Sequence, residues 1–307
     1  MTHSEHLIIR AQPRSRIRVT LDDGQVLEGP TGASLGDFLN SPHLHYPAPL
    51  IAAICDGQLR ELTYPVYRDA NVSPVLLSSS DGGRIYRRSL VMLMTTAAAE
   101  LWPGCQISVR YAVPDGGFYC TRLDAPALTP TELDRLAAFM RHLITADDPI
   151  EKRSVPLQEA IALFEQRGDA DKVRLLEQRS RDSLTLYSLR GREDYYYGYM
   201  VASTRVLQHF RLIHAGEGFI LQYPRKEHPT ELRPLHSHAK LRSVFQQTDA
   251  WLSRMGVEDI GRLNRITREG RRLAELILVA EAFTSSMWPL SLVASAKHIT
   301  HMAHRSC

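Results

Sequence analysis

Arg87-Arg88-Ser89-Leu90-Val91-Met92-Leu93-Met94 opens a run that continues through Glu100-Leu101-Trp102-Pro103 to Asp115-Gly116-Gly117-Phe118-Tyr119-Cys120, and its reading decides the fold. Residues Arg84 to Leu101 predict a single helix ended by Pro103. Ile107-Ser-Val-Arg-Tyr-Ala-Val then predicts a strand, and the Asp115-Gly116-Gly117 triplet a tight turn, with Cys120 at the end of a strand. One long helix followed by a strand and a reversal is an α+β arrangement.

Downstream, Thr129, Pro130 and Glu132 form a capping box with proline at the first helical position. Leu133, Leu136, Ala137, Met140, Leu143 and Ile144 follow at helical spacing and mark a core face. Two shorter helices, Leu157 to Phe164 and Asp171 to Leu176, are expected on either side of Gly168. Upstream, a strand from Ile17, a turn at Asp22-Asp23-Gly24, a second strand and a helix capped by Ser34 are expected. An apolar strand at Leu50 to Ile54, an Asp56-Gly57 turn and an extended stretch to about Val75 complete this region. The Ser78-Ser-Ser-Asp-Gly-Gly segment reads as a linker ahead of the long helix.

The chain of 307 residues suits two or three cores rather than one. With 44% apolar and 23% charged residues it has the composition of a soluble globular protein. Its longest apolar runs fall short of the roughly 18 to 20 residues a bilayer span needs. The charged, histidine-bearing start does not resemble a secretory signal, so a cytoplasmic location is expected. Cys55, Cys105, Cys120 and Cys307 show neither pairing nor metal-knuckle spacing and are expected as free thiols. A net charge of +3 does not by itself announce a nucleic-acid binder, so local clusters must make that case. Only five of the 37 basic residues are lysine, an arginine excess that reads as base composition of the coding DNA.

The quoted run, with Glu159, Ala160, Phe164, Arg167, Gly168, Lys172 and Leu176, resembles the editing domain of threonyl-tRNA synthetases. In that family, two histidines four apart on a helix join a later cysteine and histidine, also four apart, and the set can bind a metal or activate water. Aligned through Arg-x-Ser and Leu-Trp-Pro, the first pair falls on Arg88 and Met92. Aligned through Asp194, Gly198 and His209 to Leu212, the second falls on Tyr196 and Met200. Arginine has no lone pair to give, and methionine and tyrosine are poor zinc ligands, so the family's hydrolytic chemistry is not expected. The preceding strand and helix order resembles a TGS domain, a ubiquitin-like β-grasp module.

Asp194-Tyr-Tyr-Tyr-Gly-Tyr-Met-Val-Ala-Ser-Thr, Gly218-Phe-Ile-Leu-Gln-Tyr-Pro, a helix with Leu241, Val244, Phe245 and Trp251, and Val257 to Asn264 resemble bacterial uridine-kinase-like nucleoside kinases. Those proteins place TGS and synthetase-like domains ahead of a phosphate-loop kinase. The resemblance implies a TGS domain at 16–77, a synthetase-like second domain at 80–225, a helical region at 240–282 and a divergent tail at 283–307. It implies ATP and magnesium only for a complete kinase. The chain has no Gly-Lys dipeptide, so no phosphate loop of that kind, and no catalytic residue, metal or cofactor is assigned to it. The tail is expected either to end a genuine short protein that has lost its kinase half or to be the unselected end of a truncated or frame-shifted reading frame.

The leading expectation is therefore a non-catalytic RNA- or nucleotide-binding regulatory front part of a uridine-kinase-like nucleoside kinase. The alternative is a trans-acting aminoacyl-tRNA deacylase with chemistry rebuilt around Cys120 and His209. Arg88, Cys120, Tyr196, Ser203 and His209 are candidates to line a remnant cleft, with Arg88 suited to an anion. Tyr195, Tyr196, Tyr197 and Tyr199 offer stacking surfaces, or else form a strand with alternate rings buried. Arg262, Arg265, Arg268 and Arg271, three apart, would form a basic stripe toward phosphate if they share a helix, or two solvated faces if a turn intervenes. His43 and His45, His236 and His238, and the trio His298, His301 and His304 lack the geometry of a tetrahedral site and read as solvent-facing or structural.

Overall fold

A computed structural model describes residues 12, 14–123, 125–236, 239–257, 259–270 and 273–282. The fold is mixed α+β, and the chain divides into two compact units, 1–154 with 185–236, and 155–184 with 237–307.

The first unit opens with β1 (Arg16–Leu21), β2 (Val26–Pro30), α1 (Leu35–Leu39), β3 (Leu50–Cys55), β4 (Gln58–Glu61) and β5 (Ala70–Leu76). They form a five-stranded sheet in the order β2-β1-β5-β3-β4. β1 and β5 are parallel, and the other neighbours are antiparallel. Alternation along β1 buries Ile17, Val19 and Leu21, which pack with Leu35, Phe38 and Leu39 of α1. Ser34 caps α1, its hydroxyl accepting from Asp37 N while the Asp37 carboxylate accepts from Ser34 N.

α2 (Ser80–Leu101) is the central helix. It starts four residues before the expected Arg84, because the Ser78–Gly83 segment is not a linker. Ser79 caps the helix by accepting from Gly82 N at 3.0 Å, so the serines and glycines form its first turn. Ile85, Tyr86, Ser89, Leu90, Met92, Leu93, Met94, Ala97 and Ala98 are all buried, which leaves only a narrow solvent face. The Tyr86 hydroxyl donates to His209 O and accepts from His209 N, both at 3.0 Å, so a ring in the core keeps its polar end paired.

β6 (Ile107–Val113) and β7 (Gly117–Arg122) form the expected hairpin. α3 (Pro130–Ala146) has the expected capping box and packs its apolar face on α2. β8 (Glu151–Pro156), α4 (Leu157–Arg167), α5 (Ala170–Leu176), β9 (Ser183–Leu189), β10 (Arg192–Tyr195), β11 (Arg211–Ala215) and β12 (Gly218–Gln222) follow. β11-β12-β7-β6 form an antiparallel sheet in that order, with Phe219 opposite Cys120, and β10-β9-β8 form a third sheet. Its last strand ends at Tyr195, so only the first ring of the tyrosine run lies in a strand.

In the second unit, which also holds α6 (Ala239–Arg254), α5 packs against α4 and against α7 (Ile260–Glu269). Asp259 caps α7 through Arg262 N and takes the Arg174 guanidinium of α5 at 2.6 Å. Burial opposes charging of Asp169 between α4 and α5, yet Arg167 and Lys172 outweigh it and hold the carboxyl below its usual value. The tail at 283–307 lies outside the described residues.

Candidate functional site

Arg88, Ser89 and Met92 present three positions of α2 to the segment that follows β10. Arg88 Nη1 donates to Tyr199 O. Gly198 has φ +112°, and a Cβ there would sit 2.9 Å from the guanidinium, so only glycine lets the cation lie this close to the chain. Burial holds the Arg88 guanidinium below its ordinary pKa. One residue on, Ser89 Oγ donates to Ile85 O at 2.9 Å and accepts from Val201 N at 3.0 Å. Residues 198–201 are thereby fastened to α2 by two consecutive side chains.

The opposite side of this segment is held from the first sheet. Glu61, at the end of β4 and only 4% exposed, accepts from Tyr187 Oη at 2.7 Å and from Met200 N at 3.0 Å. Lys152 Nζ completes the carboxylate's set of donors and lies 5.6 Å from the centre of the Tyr199 ring. These residues come from three distant parts of the chain and carried no local signal in the sequence.

Met92 and Met200 are each 1% exposed and belong to the main core, and the half-buried Tyr196 packs against that core. Burying a side chain of this size contributes about 1.5 to 3 kcal/mol. The four positions matched to family ligands thus hold two buried thioethers, a packed phenol ring and a tethered cation. That donor set does not fit the metal that the resemblance brings to mind. Among the described residues, no group of three or more His, Cys, Asp and Glu side chains could hold a metal ion.

Cys120 is fully buried opposite Phe219 in the sheet, and its thiol donates to Phe118 O at 3.6 Å. Burial pushes this thiol up to about 12. At neutral pH it stays protonated and is a poor nucleophile. When the native chain is treated with iodoacetamide and digested, the Cys120 peptide should be recovered unlabelled, whereas labelling in urea should be complete; fast native labelling would refute its burial. His209 is half-buried, its backbone fixed by Tyr86, and burial lowers its imidazole pKa, which favours the neutral ring. Ser203 faces elsewhere, its hydroxyl donating to Asp147 at the end of α3, where Arg205 also approaches at 3.6 Å.

Arg262, Arg265 and Arg268 do share one helix, α7. Arg265 stands 3.8 Å from Glu177 and Arg268 donates to Gln178 O at 3.0 Å, while Arg262 approaches Asp259 at 3.8 Å. Arg271 lies outside the described residues, as do His238 and the trio His298, His301 and His304. Among the described residues, no helix is long and apolar enough to cross a membrane.

No family model matches the chain. It is similar to the threonine–tRNA ligase of Geobacter sp. (strain M21), 33% identical over 198 residues, which cover 64% of this chain and 31% of that protein. The enzymes of Citrifermentans bemidjiense and Pelobacter propionicus are 32% and 30% identical over 198 and 199 residues, 64% and 65% of this chain and 31% of each relative. The chain spans about a third of the length of these relatives, and within it lies a region like that of threonine–tRNA ligases.

Proposed function

We propose that this chain is a tRNA-directed module of the threonyl-tRNA synthetase editing type, which binds charged tRNA and leaves its ester intact. The observation that carries the proposal is the 33% identity over 198 residues to a threonine–tRNA ligase. The sheet order β2-β1-β5-β3-β4, with β1 and β5 parallel and α1 between β2 and β3, supports a β-grasp TGS domain at 16–77. The long helix, hairpin and capped α3 support a synthetase-like domain at 80–225, with the helical region at 240–282 as a further element. The deacylase relationship ranks above the front part of a nucleoside kinase, because the relatives that carry the likeness are synthetases.

Hydrolysis of an aminoacyl ester needs an activated water or a reactive nucleophile. The filled ligand positions and the protonated, buried Cys120 supply neither. Recognition without turnover is the consequence. The test mixes the full chain with seryl- and threonyl-tRNA, measuring retention of the complex and the lifetime of the ester. Saturable, salt-sensitive binding with an unchanged ester lifetime is expected. Accelerated hydrolysis that disappears in Cys120→Ala or His209→Ala would establish a rebuilt deacylase instead, and a failure to bind tRNA would remove the tRNA-directed role altogether.

A further inference from the structure

A second feature of the first unit lies apart from the Arg88 segment. A cavity of about 500 Å³ opens between the first turns of α2, the β6–β7 turn and the chain that leaves β12. Its size falls in the range that holds small-molecule ligands. Ser79, Arg84, Arg87, Arg225, Lys226 and Glu227 are among the residues that line it. Four cations therefore face one carboxylate, brought together from two segments nearly 140 residues apart in sequence.

Two of these cations are held in place by the protein itself. Arg87 Nε donates to Gly83 O at 3.0 Å and its guanidinium lies over the Tyr223 ring, 5.4 Å from the ring centre. Arg225 Nη1 donates to Pro114 O at 3.1 Å, on the rim formed by the β6–β7 turn. Arg84 is offset by Asp81 at 2.8 Å and Arg225 by Glu227 at 3.3 Å. Subtracting these two carboxylates from four cations leaves two positive charges. The start of a 22-residue helix adds its partial positive charge. Guanidinium forks positioned in advance and a point-charge lysine suit a doubly charged phosphate group.

We propose that this cavity is a binding site for a phosphate ester or pyrophosphate group, with Arg87 and Lys226 as its main contacts. The proposal does not rest on the tRNA role, because the site is defined by charge and shape alone. The phosphate belongs either to a free nucleotide or to the end of an RNA strand. The test titrates the full chain calorimetrically with inorganic pyrophosphate, then with adenosine 5′-monophosphate and with an RNA oligonucleotide carrying or lacking a 5′-phosphate.

Pyrophosphate should bind saturably at one site, and both Lys226→Glu and Arg87→Gln should weaken it by about tenfold or more, the loss of one charge-assisted contact. Lys226 is exposed, so its substitution leaves the fold intact and keeps the result interpretable should Arg87→Gln disturb the packing on Tyr223. Arg68→Gln, at an exposed position outside the cavity lining, should bind as the parent does. Tighter binding of the mononucleotide, or a preference for the 5′-phosphorylated RNA, identifies the source of the phosphate. No saturable pyrophosphate binding, or binding equal in Lys226→Glu and the parent, overturns the proposal.

Discussion

Glu61→Ala is expected to lower the stability of the first unit by about 2 to 4 kcal/mol, the cost of leaving two buried donors without their acceptor while the half-exposed Lys152 turns to water. The carboxylate is 4% exposed and receives the Tyr187 hydroxyl, Met200 N and the Lys152 ammonium. Alanine leaves two buried donors without an acceptor and a cation without its counter-charge, and it opens space where the carboxylate stood. For a unit of this size the melting temperature should fall by roughly 10 °C. Glu61→Gln should lose less, because the amide oxygen still accepts from Tyr187 and Met200. A change below about 0.5 kcal/mol, the range of ordinary surface substitutions, would contradict the role given to Glu61. The effect reaches the candidate site as well, since Met200 N belongs to the segment that Arg88 and Ser89 clasp from the other side.

Gly82→Ala is the second large effect, and its neighbour supplies the control. A Cβ at Gly82 would lie 2.1 Å from Leu76 O and 2.7 Å from Leu76 C. Both are backbone atoms at the end of β5, which cannot rotate away as a side chain would. The cost should be about 3 kcal/mol, the upper end for overpacking, because the start of α2 or the end of β5 has to move. At Gly83 the nearest atom, Leu77 O, is 3.9 Å away, so alanine fits. Gly83→Ala should be neutral or stabilise the helix by up to about 1 kcal/mol. Urea unfolding of the two variants separates the cases. Equal stabilities would mean that α2 does not start where the structure places it.

The contrast between these glycines shows what was legible in the sequence. Caps are local, so Ser34 and the Thr129-Pro130-Glu132 box could be read directly, and both are present. The Ser-Ser-Asp-Gly-Gly run ahead of Arg84 has the composition of a linker, yet Ser79 caps the helix and Gly82 is required by a close approach to Leu76. Composition cannot report that approach, because it depends on how β5 enters the helix. Glu61 carries no local signal for the same reason. Its partners Tyr187 and Met200 lie 126 and 139 residues away, and nothing around Gln58-Leu59-Arg60-Glu61 marks a buried carboxylate. Arg88 was singled out by aligned motifs. That its guanidinium is tied to Tyr199 O beside Gly198 became visible only with the segment's path in hand.

The grouping of 155–184 with residues after 237 likewise has no local signature. It rests on long-range contacts such as Arg174 with Asp259 and Gln178 with Gly261 O at 2.7 Å. The arginines of α7 looked like a phosphate-facing stripe at the level of spacing. In the folded unit their neighbours include Glu177, Gln178 and Asp259, partners that spacing along one helix cannot disclose.

The most direct measurement is equilibrium binding of seryl-tRNA to the full chain at about 0.15 M salt, where exposed charges are screened beyond about 8 Å. A non-tRNA RNA of equal length competes, and ester lifetime is followed in the same samples. Preferential binding of the charged tRNA with an unchanged ester lifetime is the predicted result. Equal retention of both RNAs, or retention of neither, would contradict a tRNA-directed module, and accelerated ester loss would contradict a filled, non-hydrolytic centre.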